Sequence, residues 1–208
     1  MNESLSNSTI AETLRPYGVA ISPAVSDSIR AYISLLLRWN AKISLTTVVD
    51  PVEILKFHFG ESLFAVSKVP MSNGRLADVG SGAGFPGLPL AISVPALEVV
   101  LLESNLKKST FLSEVIRQLK IQNASVWRDR MENWQEREAF DFVTARALGS
   151  HDEFLKWSSG ALKPNGKAIL WLGDRDASVI STAAGWSWGS QIPIPDSERR
   201  VLLIGSPQ

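Results

Sequence analysis

The chain has 208 residues, 45% of them hydrophobic, enough for one domain with a sizeable core and a small appendage. Twenty-one Lys and Arg balance twenty-one Asp and Glu, so there is no basic excess of the kind that usually marks a nucleic-acid binder, although a neutral total can conceal a basic face. Cysteine is absent, which excludes disulfides, thiolate metal sites and catalysis through a cysteine nucleophile, and no metal is expected.

In chain order, Met1–Ser8 is polar and lacks both a basic start and an apolar run, so secretion is not expected and the cytoplasm is the default. Ser22-Pro23 pairs an N-cap with proline at the first helical position, and Val25, Ile29, Ile33, Leu36 and Leu37 recur at helical spacing up to Trp39. Asp50-Pro51, with Glu53 at the third helical position, opens a second helix through His58 to about Val66. Pro70–Gly74 then punctuates the chain, predicting a helical cap over 1–70 and a separate domain over 71–208. Strands are predicted at Arg75–Val79, Leu97–Glu103, Ala124–Arg128, Phe140–Arg146 and Lys167–Leu172. A closing pair at Ser187–Pro193 and Arg199–Ile204 is joined by Pro195–Glu198 as an antiparallel hairpin. Helices fill the gaps, and this alternation implies an α/β fold with a doubly wound, mostly parallel seven-stranded sheet that binds ligands at its carboxyl edge. The longest apolar stretch, Leu88–Leu102, is broken by Ser93, Pro95 and Glu98 and falls short of the roughly 20 residues of a membrane helix, so no membrane span is expected.

The most informative segment is Arg75–Leu90, a buried strand running into a glycine-packed turn and then a helix. Gly80, Gly82, Gly84 and Gly87 fall within eight residues and let backbone lie directly against a ligand. Two ligands fit the pattern. Gly82-Ala-Gly84-Phe-Pro-Gly87 satisfies the dinucleotide fingerprint, with Glu103 at the offset of about 20 residues where a ribose-binding acid belongs. Against a pyrophosphate stand the acid Asp78 at the head of the loop and Pro86 and Pro89, which disfavour a helix start at Gly84. S-adenosylmethionine has no phosphate and carries cationic sulfonium and amino groups, so an acid beside the loop suits it better.

Asp78-Val-Gly-Ser-Gly-Ala-Gly84 resembles the acidic glycine loop of class I S-adenosylmethionine-dependent methyltransferases, and Leu162-Lys-Pro-Asn-Gly166 resembles their late turn. The longer string Gly82–Leu90 resembles the ribosomal RNA small subunit methyltransferase G family, also called glucose-inhibited division protein B. Further similar stretches are Leu37–Thr46, Asp50-Pro51, His58 with Glu61-Ser62, Leu101–Ser104, Lys107-Lys108, Phe111-Leu112, Arg130–Glu132 and Thr144–Ala147.

This resemblance implies a Rossmann-like methyltransferase, with S-adenosyl-L-methionine as cofactor, that methylates guanine N7 in 16S ribosomal RNA or the small ribosomal subunit, and a monomer is expected. N7 bears a lone pair and no proton, so direct attack needs no base and His58 reads as a structural helix residue bonded within the cap. Asp78, Gly80, Gly82, Gly84 and Phe85 are expected near the methionine part of the cofactor. Glu103 is expected to accept the ribose hydroxyls, and Met131 and Glu132 to read the adenine. Arg146, at the end of the fourth strand, is expected to serve both cofactor and target base as the catalytic residue, with Lys107, Lys108 and Arg130 on the RNA side. A basic face is sought among Lys107-Lys108, Arg128, Arg130, Arg146, Lys163, Lys167 and Arg199-Arg200. Among the tryptophans, Trp39, Trp157 and Trp171 read as core, while Trp127 and Trp134 are not placed. Where family members commonly carry Lys-Gly after the fifth strand, Leu172-Gly173 stands here, which implies one cation fewer at the rim of the site. A small-molecule methyltransferase and a non-catalytic nucleotide-binding module remain open alternatives.

Overall fold

Side-chain hydroxyls begin the first two helices. In the computed structural model, which describes residues 5–146 and 149–208, Ser6 accepts from the Thr9 amide at the head of α1 (Asn7–Leu14), and Ser22 from the Val25 amide at the head of α2 (Pro23–Asn40). Each hydroxyl occupies an amide that has no partner inside the helix. Ala147, the last residue of the Thr144–Ala147 string, lies outside the described residues, as does the start of the 1–70 stretch. α1 has no counterpart among the predicted elements, since it buries only Ile10 and Leu14, too few for a periodic signal.

Asp50 accepts from the amides of Val52 and Glu53, both at 2.9 Å, and starts α3 (Pro51–Ile54). The helical run expected from there to about Val66 is present but changes pitch. A wide π-type turn over Leu55–Gly60 leads into α4 (Glu61–Phe64) and a tight turn over Ala65–Ser67. Such wide turns re-aim side chains, and this one carries His58.

Five strands then run parallel: β1 (Gly74–Val79), β2 (Leu97–Leu102), β3 (Ala124–Trp127), β4 (Phe140–Arg146) and β5 (Leu162–Gly173), in the order β3-β2-β1-β4-β5. β8 (Arg200–Pro207) lies antiparallel to β5, and β6 (Trp186–Trp188) and β7 (Ile192–Pro193) both pair with β8. The single strand predicted at Ser187–Pro193 is therefore two. Trp188 faces Gly205 but Ile192 faces Leu202, so one extra residue bulges out between them, and Gly189 bonds back to the Ile204 carbonyl at 2.9 Å. β5 starts earlier than predicted: Leu162 faces Phe140, after which the register shifts so that Phe142 faces Lys167, and the Lys163–Gly166 turn loops out.

Helices α5 (Gly87–Ser93), α6 (Leu106–Leu119), α7 (His151–Ala161) and α8 (Asp174–Ile180) complete the fold. Side chains alternate across the strands. Leu76, Val99, Leu101, Ile169 and Trp171 join the core under α5, α6 and the N-terminal helices, while Ala77, Val79, Val100, Leu102 and Leu170 join the core under α7 and α8. Trp127 and Trp134 meet edge to face at 5.2 Å beside this second core. Among the described residues, no helix is long and apolar enough to cross a membrane.

Candidate active site

The carboxyl edge of the sheet is where β1, β2 and β4 end together, because parallel strands present the same edge. Two cavities open there and share Gly80 as a common wall. The larger, about 540 Å³, is lined on the sheet side by Gly80, Gly82, Phe85, Lys108 and Arg146, and on the other by His58 and the segment that follows α2, from Asn40 to Thr47. The smaller, about 180 Å³, lies between Gly80, Glu103, Arg130, Met131 and Glu132.

Backbone at Gly80 and Gly82 adopts positive φ, 67° and 55°, and a Cβ built on Gly80 would meet nothing within 4 Å. This part of the loop thus exposes bare backbone to open space, as close approach by a ligand requires. Gly84 also has positive φ, 89°, but faces inward, where a Cβ would strike the Tyr32 hydroxyl and sit 2.7 Å from Leu88. Gly84 lines neither cavity and packs against the side chains beneath the loop.

The two acids of the motif divide similarly. Asp78 is fully buried and lines neither cavity. Its Oδ2 accepts from the Gly87 amide at 3.1 Å and its Oδ1 from the Thr144 hydroxyl at 2.9 Å. Burial pushes its carboxyl up to about 6, against the pull of those hydrogen bonds. These bonds shape the turn into α5, which begins at Gly87 rather than at Gly84. Glu103 does line the smaller cavity, with Oε2 accepting from the Gly82 amide at 2.9 Å and Oε1 from the Asn105 amide at 2.8 Å. Each carboxylate oxygen retains a further lone pair for a hydroxyl.

Arg146, at the end of β4, donates through Nη1 to the Phe57 carbonyl at 3.0 Å and through Nη2 to His58 Nδ1 at 2.8 Å. Arginine has no acceptor, so Nδ1 must accept and the imidazole proton sits on Nε2, which donates to the Thr46 hydroxyl at 2.8 Å. Burial, with the adjacent Arg146 charge, pulls His58 down to about 3, leaving it neutral. The histidine is bonded to the segment after α2 and stacks on Phe85 at 4.7 Å. Below Arg146 lies Glu61, fully buried, with Arg200 Nη2 at 2.8 Å and Arg146 Nη1 at 3.6 Å. Neither approach is a directed hydrogen bond, so charge alone links the three. Burial raises Glu61 while both guanidiniums pull it back.

These ion pairs redraw the basic face sought in the sequence. Arg146 and Arg200 converge on Glu61, and Lys163 binds Asp141 at 2.8 Å. Lys107 and Lys108 open α6 but part company: Lys108 lines the larger cavity and Lys107 lines a groove between α2 and α6. Arg130, expected on the RNA side, lines the smaller cavity with Met131 and Glu132. Leu172 is buried in the core under α7 and α8 and lines neither cavity.

Asn40, Ser44, Thr46 and Thr47 were not among the expected site residues. Asn40 holds this wall in shape, its Oδ1 accepting from the Leu45 and Thr46 amides and its Nδ2 donating to the Thr46 carbonyl. The signal for the first three was the family-like string Leu37–Thr46, which no local chemistry explained.

A sequence model described as rRNA small subunit methyltransferase G matches residues 26–184. A ribosomal RNA small subunit methyltransferase G from Xanthomonas euvesicatoria pv. vesicatoria is 36% identical over 190 residues, covering 89% of each chain. In structure, the chain is similar to the precorrin-6y C5,15-methyltransferase of Geobacter metallireducens (TM-score 0.58, 13% identity, 80% of this chain and 92% of that one). It is also similar to the TYW2 protein of M. jannaschii in complex with AdoMet (TM-score 0.50, 15% identity, 64% of this chain and 68% of that one).

Proposed function

Because the chain belongs to the ribosomal RNA small subunit methyltransferase G family, we propose that the site formed by its two neighbouring cavities transfers a methyl group to N7 of a guanine in 16S ribosomal RNA. The protein is an S-adenosylmethionine-dependent ribosomal RNA methyltransferase. The observation that supports the cofactor reading is that the two cavities lie on either side of Gly80, whose bare backbone is where the centre of an elongated ligand with one end in each would fall; the choice of guanine N7 follows from the family.

The residues fit that cofactor. Glu103 supplies carboxylate oxygens for vicinal hydroxyls, and Met131 and Glu132 flank the space for the base. The larger cavity keeps room for the methionine part and for the incoming guanine beside Phe85, Lys108 and Arg146. S-adenosylmethionine supplies an electrophilic methyl on a sulfonium, and N7 supplies the lone pair, so a C–N bond forms as the C–S bond breaks and the positive charge passes to the base. No proton is removed from N7, and the neutral His58, its Nδ1 already taken by Arg146, holds its proton toward Thr46 rather than toward a substrate. Arg146 and Phe85 orient the reacting partners, and alignment is what such a displacement demands.

The reading includes action as a monomer and a helical cap over 1–70 on a cofactor domain over 71–208 in the cytoplasm. The test is methyl transfer from tritiated S-adenosylmethionine to unmodified small ribosomal subunits, followed by mass spectrometry of the nucleosides. A new 7-methylguanosine is the expected product. A methyl on another atom would overturn the N7 reading, and no incorporation would overturn the substrate.

A further inference from the structure

We propose that the groove between α2 and α6 is a second RNA site, which holds an unpaired nucleotide next to the target guanine. The inference rests on the reading of the protein as a ribosomal RNA methyltransferase and adds to it a binding surface separate from both cofactor cavities. The groove encloses about 600 Å³. Its floor is apolar, formed by Leu35, Trp39 and Ile43, and Leu106 stands at its lip 60% exposed. Around that floor stand three exposed cations, Arg38, Lys42 and Lys107, and no acid lines it. None of the three makes an ion pair among the described residues. The nearby Glu114 is already engaged by Arg117 and Gln118.

An apolar floor ringed by unpaired cations matches a nucleotide, whose base has an apolar face and whose phosphate is anionic. It does not match an acidic peptide, which has no use for the floor, or an apolar helix, which leaves the cations unanswered. Position decides what the nucleotide belongs to. The groove and the larger cavity are back to back on the same two segments: Trp39, Lys42 and Ile43 face the groove while Asn40 and Ser44 face the cavity, and Lys107 faces the groove while Lys108 faces the cavity. Adjacent Cα atoms are only about 3.8 Å apart, so the two sites share one wall, and a strand that places a guanine in the cavity and passes over that wall sets its neighbour in the groove. Clamping that neighbour fixes the register of the strand.

The test uses the full chain and a short fluorescein-labelled single-stranded oligoribonucleotide. Replacing Lys42 and Lys107 together by glutamine should weaken binding about tenfold or more, and should make the dependence of log affinity on log salt shallower by about 1.4, roughly 0.7 for each lost phosphate contact. Leu106→Ala should weaken binding several-fold with the salt slope unchanged, because it removes contact with a base and not with a phosphate. Calorimetry with S-adenosylhomocysteine should show wild-type affinity in both variants, establishing that the fold and the cofactor cavities are intact. Wild-type RNA binding in both variants would overturn the inference. So would loss of methylation on the assembled subunit with naked-RNA binding unchanged, which would assign the groove to a ribosomal protein. If the wild-type protein methylates no ribosomal RNA, the functional reading fails, and the oligonucleotide measurements still decide the groove.

Discussion

Between β1 and α5 the loop has two halves that use glycine for opposite ends. At Gly80 a Cβ would meet nothing and at Gly82 only the Gly80 carbonyl at ordinary contact distance, and the half is tied down from outside by Glu103. At Gly84 and Gly87 a side chain would strike Tyr32, Leu88, Leu101 or Asp78, and the half is tied down from beneath by Asp78. The lesson is that a glycine-rich binding motif can be half ligand site and half packing, with one carboxylate assigned to each.

Four measurements sharpen or break this division. The largest effect is expected from Gly84→Ala, where a methyl meets the Tyr32 hydroxyl at a positive φ, and overpacking plus backbone strain should remove about 3–5 kcal/mol in a thermal melt. Gly80→Ala should cost only about 1–2 kcal/mol, from its φ alone. Equal losses at the two positions would erase the distinction. Asp78→Ala leaves the Gly87 amide and the Thr144 hydroxyl without their acceptor, and urea unfolding should register a loss of about 2–3 kcal/mol.

The third test uses pH. Asp78 is raised in the folded state from an ordinary 3.8 to about 6, so between those values the folded protein binds the proton more tightly than the unfolded chain. Its contribution is present in full at the acid end and lost as pH rises through about 6. Wild-type stability should therefore fall relative to Asp78→Asn across that window, by at most about 1.4 kcal/mol per pH unit, as measured by melts at stepped pH. Parallel curves for the two proteins would mean that the carboxylate is not desolvated as the structure has it. Smallest in stability is Glu103→Ala, at about 1.5 kcal/mol, because the two amides it frees lie beside the smaller cavity, where water can reach them. Its effect should fall on the cofactor instead, with a drop of at least about tenfold in affinity by calorimetry, and unchanged affinity would remove the ribose assignment.

What could be read in the sequence was whatever depends on neighbours in the chain. The strand–loop–helix order, the helix starts at Ser22 and Asp50, and Glu103 at the end of an apolar strand are all local patterns. What could not be read depends on residues far apart. The periodicity of α2 does not reveal that the Tyr32 hydroxyl reaches the Ala83 carbonyl, 51 positions on, or that Arg146 bonds to His58, 88 positions earlier. For the same reason Arg146 and Arg200 were both candidates for a basic face, with nothing nearby in the chain to show that Glu61 joins them. The one-residue slip that divides β6 from β7 was hidden because the tryptophans and Ile192 both suit strands, and only the partner strand sets where they pair.

The buried bond from Tyr32 to Ala83, at 2.5 Å, lies beside the stacked rings of Tyr32 and Phe85, which are 5.3 Å apart and 6° from parallel. A helix from the first forty residues thereby fixes the conformation of a loop that ordinarily follows from its own strand and helix. The glycine motif is for this reason not portable. Grafted onto another sheet of the same topology it would arrive without the ring that wedges it and the hydroxyl that anchors it, and a shortened protein lacking α2 would keep every motif residue and lose the shape of the motif. The part of the chain with the least recognisable chemistry acts as the mould for the part with the most.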